Sequence, residues 1–423
     1  MTSVAEVAGG LSSETLALLD ETLDVDAHEM TPSHLWGDVF GEAAGRIAEL
    51  AIPVLKKTGA NDFYNPDVSA DNTDVTEENA WNIRGTRAPG AFDMSRRLAV
   101  MDVMGVKRQF VFPSFALFAN HLWTGNEAML RDRYGLTLPE AEIRALGRAG
   151  VEEYNAWVVR ESHLDPDRVR PVAYLDPGSS VAELYDRTRD LIDQGVLAID
   201  LPAGNPPGGK SPAHPEMDPY WDMLASRNIA VLMHVGGEWD LLKSAEWGRG
   251  ALAFKHGKVE SHELGSDPYA FSTMSLGVSN YLTVMTLGGV FERHPKLRFG
   301  AIELGAGWLG PLADNLDMWA RDVYKVRLAP FLSKLPSEYL AEHVRVTPFN
   351  NIEHMDAYLR RYPQLATSYC FSTDYPHIEG GTDIKRKFVE MLSPLGDDIV
   401  QKFFVRNSAL LLPSIEEIRP ATP

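Results

Sequence analysis

Five side chains able to bind a metal or carry a proton lie at the C-terminal ends of short apolar runs. Asp26 and His28 close LDVDAH (23–28), His234 closes IAVLMH (229–234), Glu303 closes LRFGAIE (297–303) and Asp374 closes YCFSTD (369–374). In an extended strand side chains alternate, so the spacing of Asp26 and His28 puts both on one face. An Asp and a His turned inward on a buried strand are costly to desolvate, and a divalent cation offsets that cost. The other reading of the pair is an Asp and a His that face a loop. His234 is a ligand or a structural histidine, and the glycines that follow it allow close backbone approach. Asp374 can bind a metal or accept a proton. His377 is either a partner that orients a carboxylate or a turn residue. Glu303 ends a strand with a buried face; it ligates a metal, serves as a base, or forms a salt bridge at the rim.

Residues so far apart in sequence act together only if the fold brings strand ends to one place. Four more apolar runs, KRQFVFP (107–113), VRPVAYL (169–175), GVLAIDLP (195–202) and HVRVTP (343–348), bring the predicted strands to eight. They centre near residues 24, 109, 171, 198, 231, 300, 345 and 371. Stretches such as VAELYDRTRDLIDQG before Val196 and MDPYWDMLASRN before Ile229 have helical periodicity. Near-continuous apolar strands alternating with helices predict a parallel sheet covered on both faces. Eight such units predict an α/β chain folded as a (β/α)8 TIM barrel, whose strand ends converge on one mouth.

Long insertions follow the first and fifth predicted strands, and segments of that length form lids or binding walls. The first carries Trp81, Arg84 and Arg87, read as substrate contacts, with an arginine pairing to a substrate carboxylate. The second carries His256 and His262, which can reach the pocket. His294 precedes the sixth strand, at the far end of the barrel, and reads as structural. The expected division is a helical extension over 1–21, with Ser12 or Ser13 as N-cap, a barrel over 22–413 and a tail over 414–423.

Composition narrows the partners. With 44% hydrophobic residues in 423, the chain can bury a large core. Its net charge of −19 and lack of a basic stripe argue against nucleic acid. Cys370 is the single cysteine, which rules out an intramolecular disulfide and a cysteine-based zinc site. The first residues lack the features of a signal peptide, and no apolar run is long enough to cross a membrane. The expectation is a cytoplasmic enzyme with a small-molecule substrate. GxSxG, P-loop and dinucleotide motifs are absent from strand–helix junctions.

The segments DVDAH (24–28), RLAVMDVMGVKRQFVFP (97–113), FERHPKLRFGAIELGAGWLGP (291–311), FSTDYPHIEGG (371–381) and NSALLLP (407–413) carry a resemblance. The chain resembles the amidohydrolase-related family, the branch of the amidohydrolase superfamily that includes aminocarboxymuconate-semialdehyde decarboxylase and resorcylate decarboxylases. The resemblance spans roughly residues 22 to 413. It implies that Asp26, His28, His234 and Asp374 hold one Zn²⁺ or a similar divalent ion, and that the enzyme pairs as a homodimer. At the sixth strand those decarboxylases carry a His followed by Gly, where this chain has Glu303.

Three carboxylates and two imidazoles form a harder ligand set that suits Mn²⁺ or Fe as well as Zn²⁺. Glu303 can also bridge to a second ion, since paired metals lie about 3.5–4 Å apart. The leading expectation is a metal-dependent hydrolase of an ester, thioester or amide, with Asp374 and Glu303 as catalytic residues. The alternative is a non-oxidative decarboxylase of an aromatic or unsaturated acid, with Glu303 as proton donor. A third reading, a binding protein on a retired barrel, predicts no metal and no effect of removing His28 or His234.

Overall fold

The computed structural model describes residues 4–58, 63–125, 138–176, 178, 180–236, 241, 247–248, 250–254, 268–350 and 352–418. His256 and His262 lie outside the described residues. Among the described residues eight strands are all parallel: β1 (Thr22–Asp24), β2 (Val106–Val111), β3 (Val169–Pro171), β4 (Ala173–Tyr174), β5 (Ala198–Asp200), β6 (Ala230–His234), β7 (Arg298–Ile302) and β8 (Val344–Val346). They pair in two sheets, β1-β2-β3 and β4-β5-β6-β7-β8.

Two seams join those sheets into a distorted (β/α)8 barrel. At the first, β3 and β4 are halves of one run, VRPVAYL. The first half pairs with β2 and the second with β5. Pro171 has no N–H to donate, so the ladder breaks there. At the second, residues 369–375 fill the gap between β8 and β1 through the parallel bridges Val346↔Tyr369 and Ala27↔Tyr375.

The predicted strand near residue 371 is therefore present in position but not as a continuous ladder. The reason is local. The Thr373 main-chain N–H donates to the Asp24 carboxylate (2.8 Å), and the Phe371 N–H goes to the Phe403 carbonyl (2.9 Å). Donors that a ladder would use are taken by other groups.

Inside the barrel Leu23, Val25, Phe110, Phe112, Val172, Ala198, Ala230, Leu232, Ile302 and Cys370 pack together, joined from below by Leu411 and Leu412. Each fully buried Leu, Ile or Phe contributes roughly 1.5–3 kcal/mol, so this plug fixes the ring that carries the site. Helices cover the outside. In Val181–Asp193, Ser180 caps the start by accepting from Glu183 N–H, and Leu184, Thr188 and Ile192 bury one stripe at a spacing of four. At the N-terminus Ser12 caps the helix Ser13–Leu18, accepting from Thr15 N–H. His294 lies between Asp218 and Asp222, away from the strand ends that carry the cluster. Among the described residues no helix is long and apolar enough to cross a membrane.

Candidate metal centre

The barrel brings Asp26, His28, His234, Glu303 and Asp374 to one mouth. His28 follows β1 and bridges to Phe112 beyond β2, while Asp374 N–H donates to the Asp26 carbonyl at 2.8 Å. Glu303, just after β7, and Asp374, in the bridging segment 369–375, both lie in the left-handed region, with φ of +52° and +54°. For residues with a Cβ that conformation costs of order 1–3 kcal/mol, and it persists only where surroundings impose it. The Glu303 main-chain N–H is held by Thr347 Oγ1 at 2.8 Å.

His28 Nε2 lies 3.5 Å from Asp26 Oδ1, 3.5 Å from Asp374 Oδ1 and 4.0 Å from Glu303 Oε2. His234 Nε2 lies 3.5 Å from Asp26 Oδ1 and 3.2 Å from Glu303 Oε2. Atoms bound to one ion at about 2.1 Å lie about 3.0–3.4 Å apart in octahedral or tetrahedral geometry. The cluster is close to that spacing. Asp26, His28, His234 and Asp374 are buried, and only the Glu303 side chain, 13% exposed, opens toward solvent.

Asp26 Oδ1, His28 Nε2, His234 Nε2 and Asp374 Oδ1 are buried without a hydrogen-bond partner. An unsatisfied buried polar atom costs about 1–3 kcal/mol, and four this close together fit a shared cation. A buried His/Asp/Glu cluster of this kind is able to coordinate one or two divalent ions. With both imidazoles neutral and its three carboxylates ionised, it carries three negative charges, which a divalent ion reduces to one.

The charges of the cluster act strongly on one another. Burial, then the neighbouring Glu303 and Asp26 carboxylates, hold the Asp374 pKa well above the usual range. Burial and two nearby imidazoles, of His377 and His234, hold His28 well below its ordinary value. Burial opposes a charge on His234, but the adjacent Asp26 and Glu303 carboxylates outweigh it and raise its pKa well above normal. A divalent ion would take over the compensating role of that proton.

His377 lies against the cluster. Its ring stacks on His28 at 3.8 Å and 16°, and its Nδ1 is 3.3 Å from Asp374 Oδ1. Its Nε2 meets Ser114 Oγ at 3.1 Å. The other expected contacts are not brought into the cluster. Arg84 donates to the carbonyls of Ala80, Ile83 and Gly381, so its guanidinium fastens main chain. Arg87 pairs with Asp67 at 3.3 Å on the surface, and Trp81 is buried in the core.

Three further acids surround the centre. Asp24 accepts from Gln109 Nε2 (2.7 Å) and Thr373 Oγ1 (2.6 Å), and burial pushes its pKa up to about 7. Asp200 ends β5 fully buried; burial raises its pKa to about 7 against the opposing pull of His234. Glu29 accepts from Phe115 N–H (2.7 Å) and Ser114 N–H (3.0 Å), seating the helix whose Ser114 meets His377. A signal for two of them lies in the sequence. Asp24 is two before Asp26 on the same strand face, and Asp200 closes GVLAID as His234 closes its own run.

Fold and site together define a metal-dependent enzyme on a (β/α)8 barrel. A family model described as "Amidohydrolase" matches residues 139–413, about two-thirds of the chain, and the protein belongs to that family. Among solved structures, an amidohydrolase from Mycobacterium avium subsp. paratuberculosis K-10 is 18% identical with a TM-score of 0.62; the match covers 93% of this chain and 99% of that one. A 5-carboxyvanillate decarboxylase from Sphingomonas paucimobilis is 14% identical with a TM-score of 0.53, covering 93% and 99%. A dihydroxybenzoic acid decarboxylase from Polaromonas sp. JS666, solved with manganese and the inhibitor 2-nitroresorcinol, is 12% identical with a TM-score of 0.51, covering 93% and 96%. At these identities the likeness establishes the shared fold.

Proposed function

We propose that the protein is a metal-dependent, non-oxidative decarboxylase of a small aromatic or unsaturated carboxylic acid. In this reading Asp26, His28, His234 and Asp374 hold the ion, with Glu303 as an additional ligand or the proton-carrying group. One observation carries it: Glu303 is the cluster's single carboxyl open to solvent, yet its Oε2 lies 3.2 Å from His234 Nε2. When bound, a divalent ion supplies Lewis-acid stabilisation to oxygen atoms of the substrate.

The chain's own residues do the rest. The bond between the substrate carbon and its carboxylate breaks, and carbon dioxide leaves. The electron pair left on carbon takes a proton from Glu303, which is reprotonated from water. His377, between Asp374 and Ser114, orients the Asp374 carboxylate. Manganese and aromatic acids in the names of proteins sharing the fold support this choice of metal and substrate class.

Hydrolysis of an ester, thioester or amide is the second reading. It is favoured by the same Glu303, since a carboxylate at the open side can also accept a proton from an attacking water. The two separate in one assay. Mn²⁺-loaded enzyme is incubated with ortho-hydroxylated benzoates in D₂O, with esters and thioesters in parallel. Carbon dioxide release with deuterium at the vacated carbon is expected, and Glu303→Gln should lower kcat by about 10²–10⁴-fold. Ester or thioester turnover with no carbon dioxide would leave the hydrolase reading standing alone.

A further inference from the structure

Glu303 is held in its unusual backbone conformation by a turn, and that turn is itself fastened by a residue outside the cluster. Glu353 lies beyond β8, just before the helix Met355–Arg361. Its Oε1 accepts from Gly307 N–H (2.9 Å), Ala306 N–H (3.2 Å) and the Tyr358 hydroxyl (3.1 Å). Its Oε2 accepts from Ala306 N–H (2.9 Å) and Phe349 N–H (2.8 Å). One carboxylate thus binds donors from the turn after β7 and from the turn after β8.

Both turns bear on Glu303. The first begins with it, and the second includes Thr347, whose Oγ1 holds the Glu303 N–H at 2.8 Å. The glycines around Glu353 fit a tight cradle. Gly305 has φ +71°, and a Cβ on Gly307 would come within 2.7 Å of the Tyr358 hydroxyl. Hydrogen bonds from main-chain N–H to an ionised carboxylate are the stronger kind, so this clasp is stiff.

From this geometry we propose that Glu353 is a positioning residue that sets the Glu303 carboxylate in the metal centre. Its carboxylate binds main chain and the Tyr358 hydroxyl, and it acts through the turn at 303–307. The inference rests on the reading that Glu303 belongs to the centre. Replacement of Glu353 by Gln keeps the size, leaves one good acceptor oxygen, and turns an NH₂ toward main-chain N–H donors. The turn then relaxes and the Glu303 carboxylate moves away.

The test is a double-mutant cycle read on Mn²⁺ affinity of the full chain, from free Mn²⁺ in EPR titrations without substrate. Glu353→Gln is expected to weaken Mn²⁺ binding by about 10–100-fold, as loss of an outer support to a ligand does. Added to Glu303→Gln, it should weaken binding no further, because its only route to the ion is gone. Independent effects that multiply would overturn the positioning role, as would unchanged affinity in Glu353→Gln. Unchanged affinity in Glu303→Gln alone would instead sink the assignment of Glu303 as a ligand, and the inference with it. If Glu353→Gln does not fold, Tyr358→Phe removes one bond of the clasp. It should weaken Mn²⁺ binding about 2–10-fold in the native background and not in Glu303→Gln; the same weakening in both, or none in either, refutes the proposal.

Discussion

Asp200 offers a sharp test of how the barrel mouth stores charge. It ends β5 at 2% exposure, and burial raises its pKa from 3.8 to about 7, with His234 pulling the other way. The folded protein therefore keeps a proton on Asp200 between about pH 4 and pH 7 that the unfolded chain has already lost. In that window the native state binds more protons than the unfolded state, so stability falls as pH rises and levels off above pH 7. A shift of about three units at about 1.4 kcal/mol each sets an upper bound of about 4 kcal/mol. Asp200→Asn keeps the size and an acceptor oxygen but carries no charge. Metal-free Asp200→Asn should match the native protein near pH 4 and gain stability up to that bound by pH 8. Urea unfolding of the stripped protein at both pH values measures the difference. Bound Mn²⁺ should shrink the gain, because the cation stabilises the ionised carboxylate. Equal stability of the two proteins at pH 8, or a gain already complete at pH 4, would refute the burial argument.

Two other outcomes follow from the geometry. Removing His28 or His234 by substitution to Ala should weaken Mn²⁺ binding by more than about 100-fold, read as metal per chain after gel filtration, since each supplies a ring nitrogen to the buried cluster. Stoichiometric metal in either variant would contradict the assigned centre. Gly147→Ala tests the packing that backs the barrel. A Cβ there would come within 2.4 Å of Trp123 N and 2.6 Å of Ala119 O, both main chain. The helices Phe115–Thr124 and Glu140–Glu161 must then part, at a cost of about 1–3 kcal/mol, seen as a lower Tm with metal affinity unchanged.

Much of this architecture was legible in the sequence because a buried parallel strand leaves a plain mark. A run such as IAVLMH needs every residue apolar until the last, and the polar residue that ends it marks the mouth. His234 and Glu303 were readable for that reason. Residues 369–375 gave the same signal, yet they form bridges only, because Asp24 and Phe403 take their donors. Competition of that sort depends on residues far outside the run, so no local pattern records it.

The arginines of the first insertion show the limit from the other side. A charged residue in a long loop near the mouth suggests a substrate contact, and its chemistry fits. What decides its use is which acceptors the loop's own folding leaves unpaired. Here Arg84 closes the loop onto the carbonyls of Ala80, Ile83 and Gly381. Glu353 escaped notice for the converse reason. Its partners are main-chain N–H groups, which every residue but proline carries, so residue identities in the turns barely announce a carboxylate clasp. Side chains that meet an ion are written in sequence by their type. Those that hold them in place bind main chain, and only the fold reveals them.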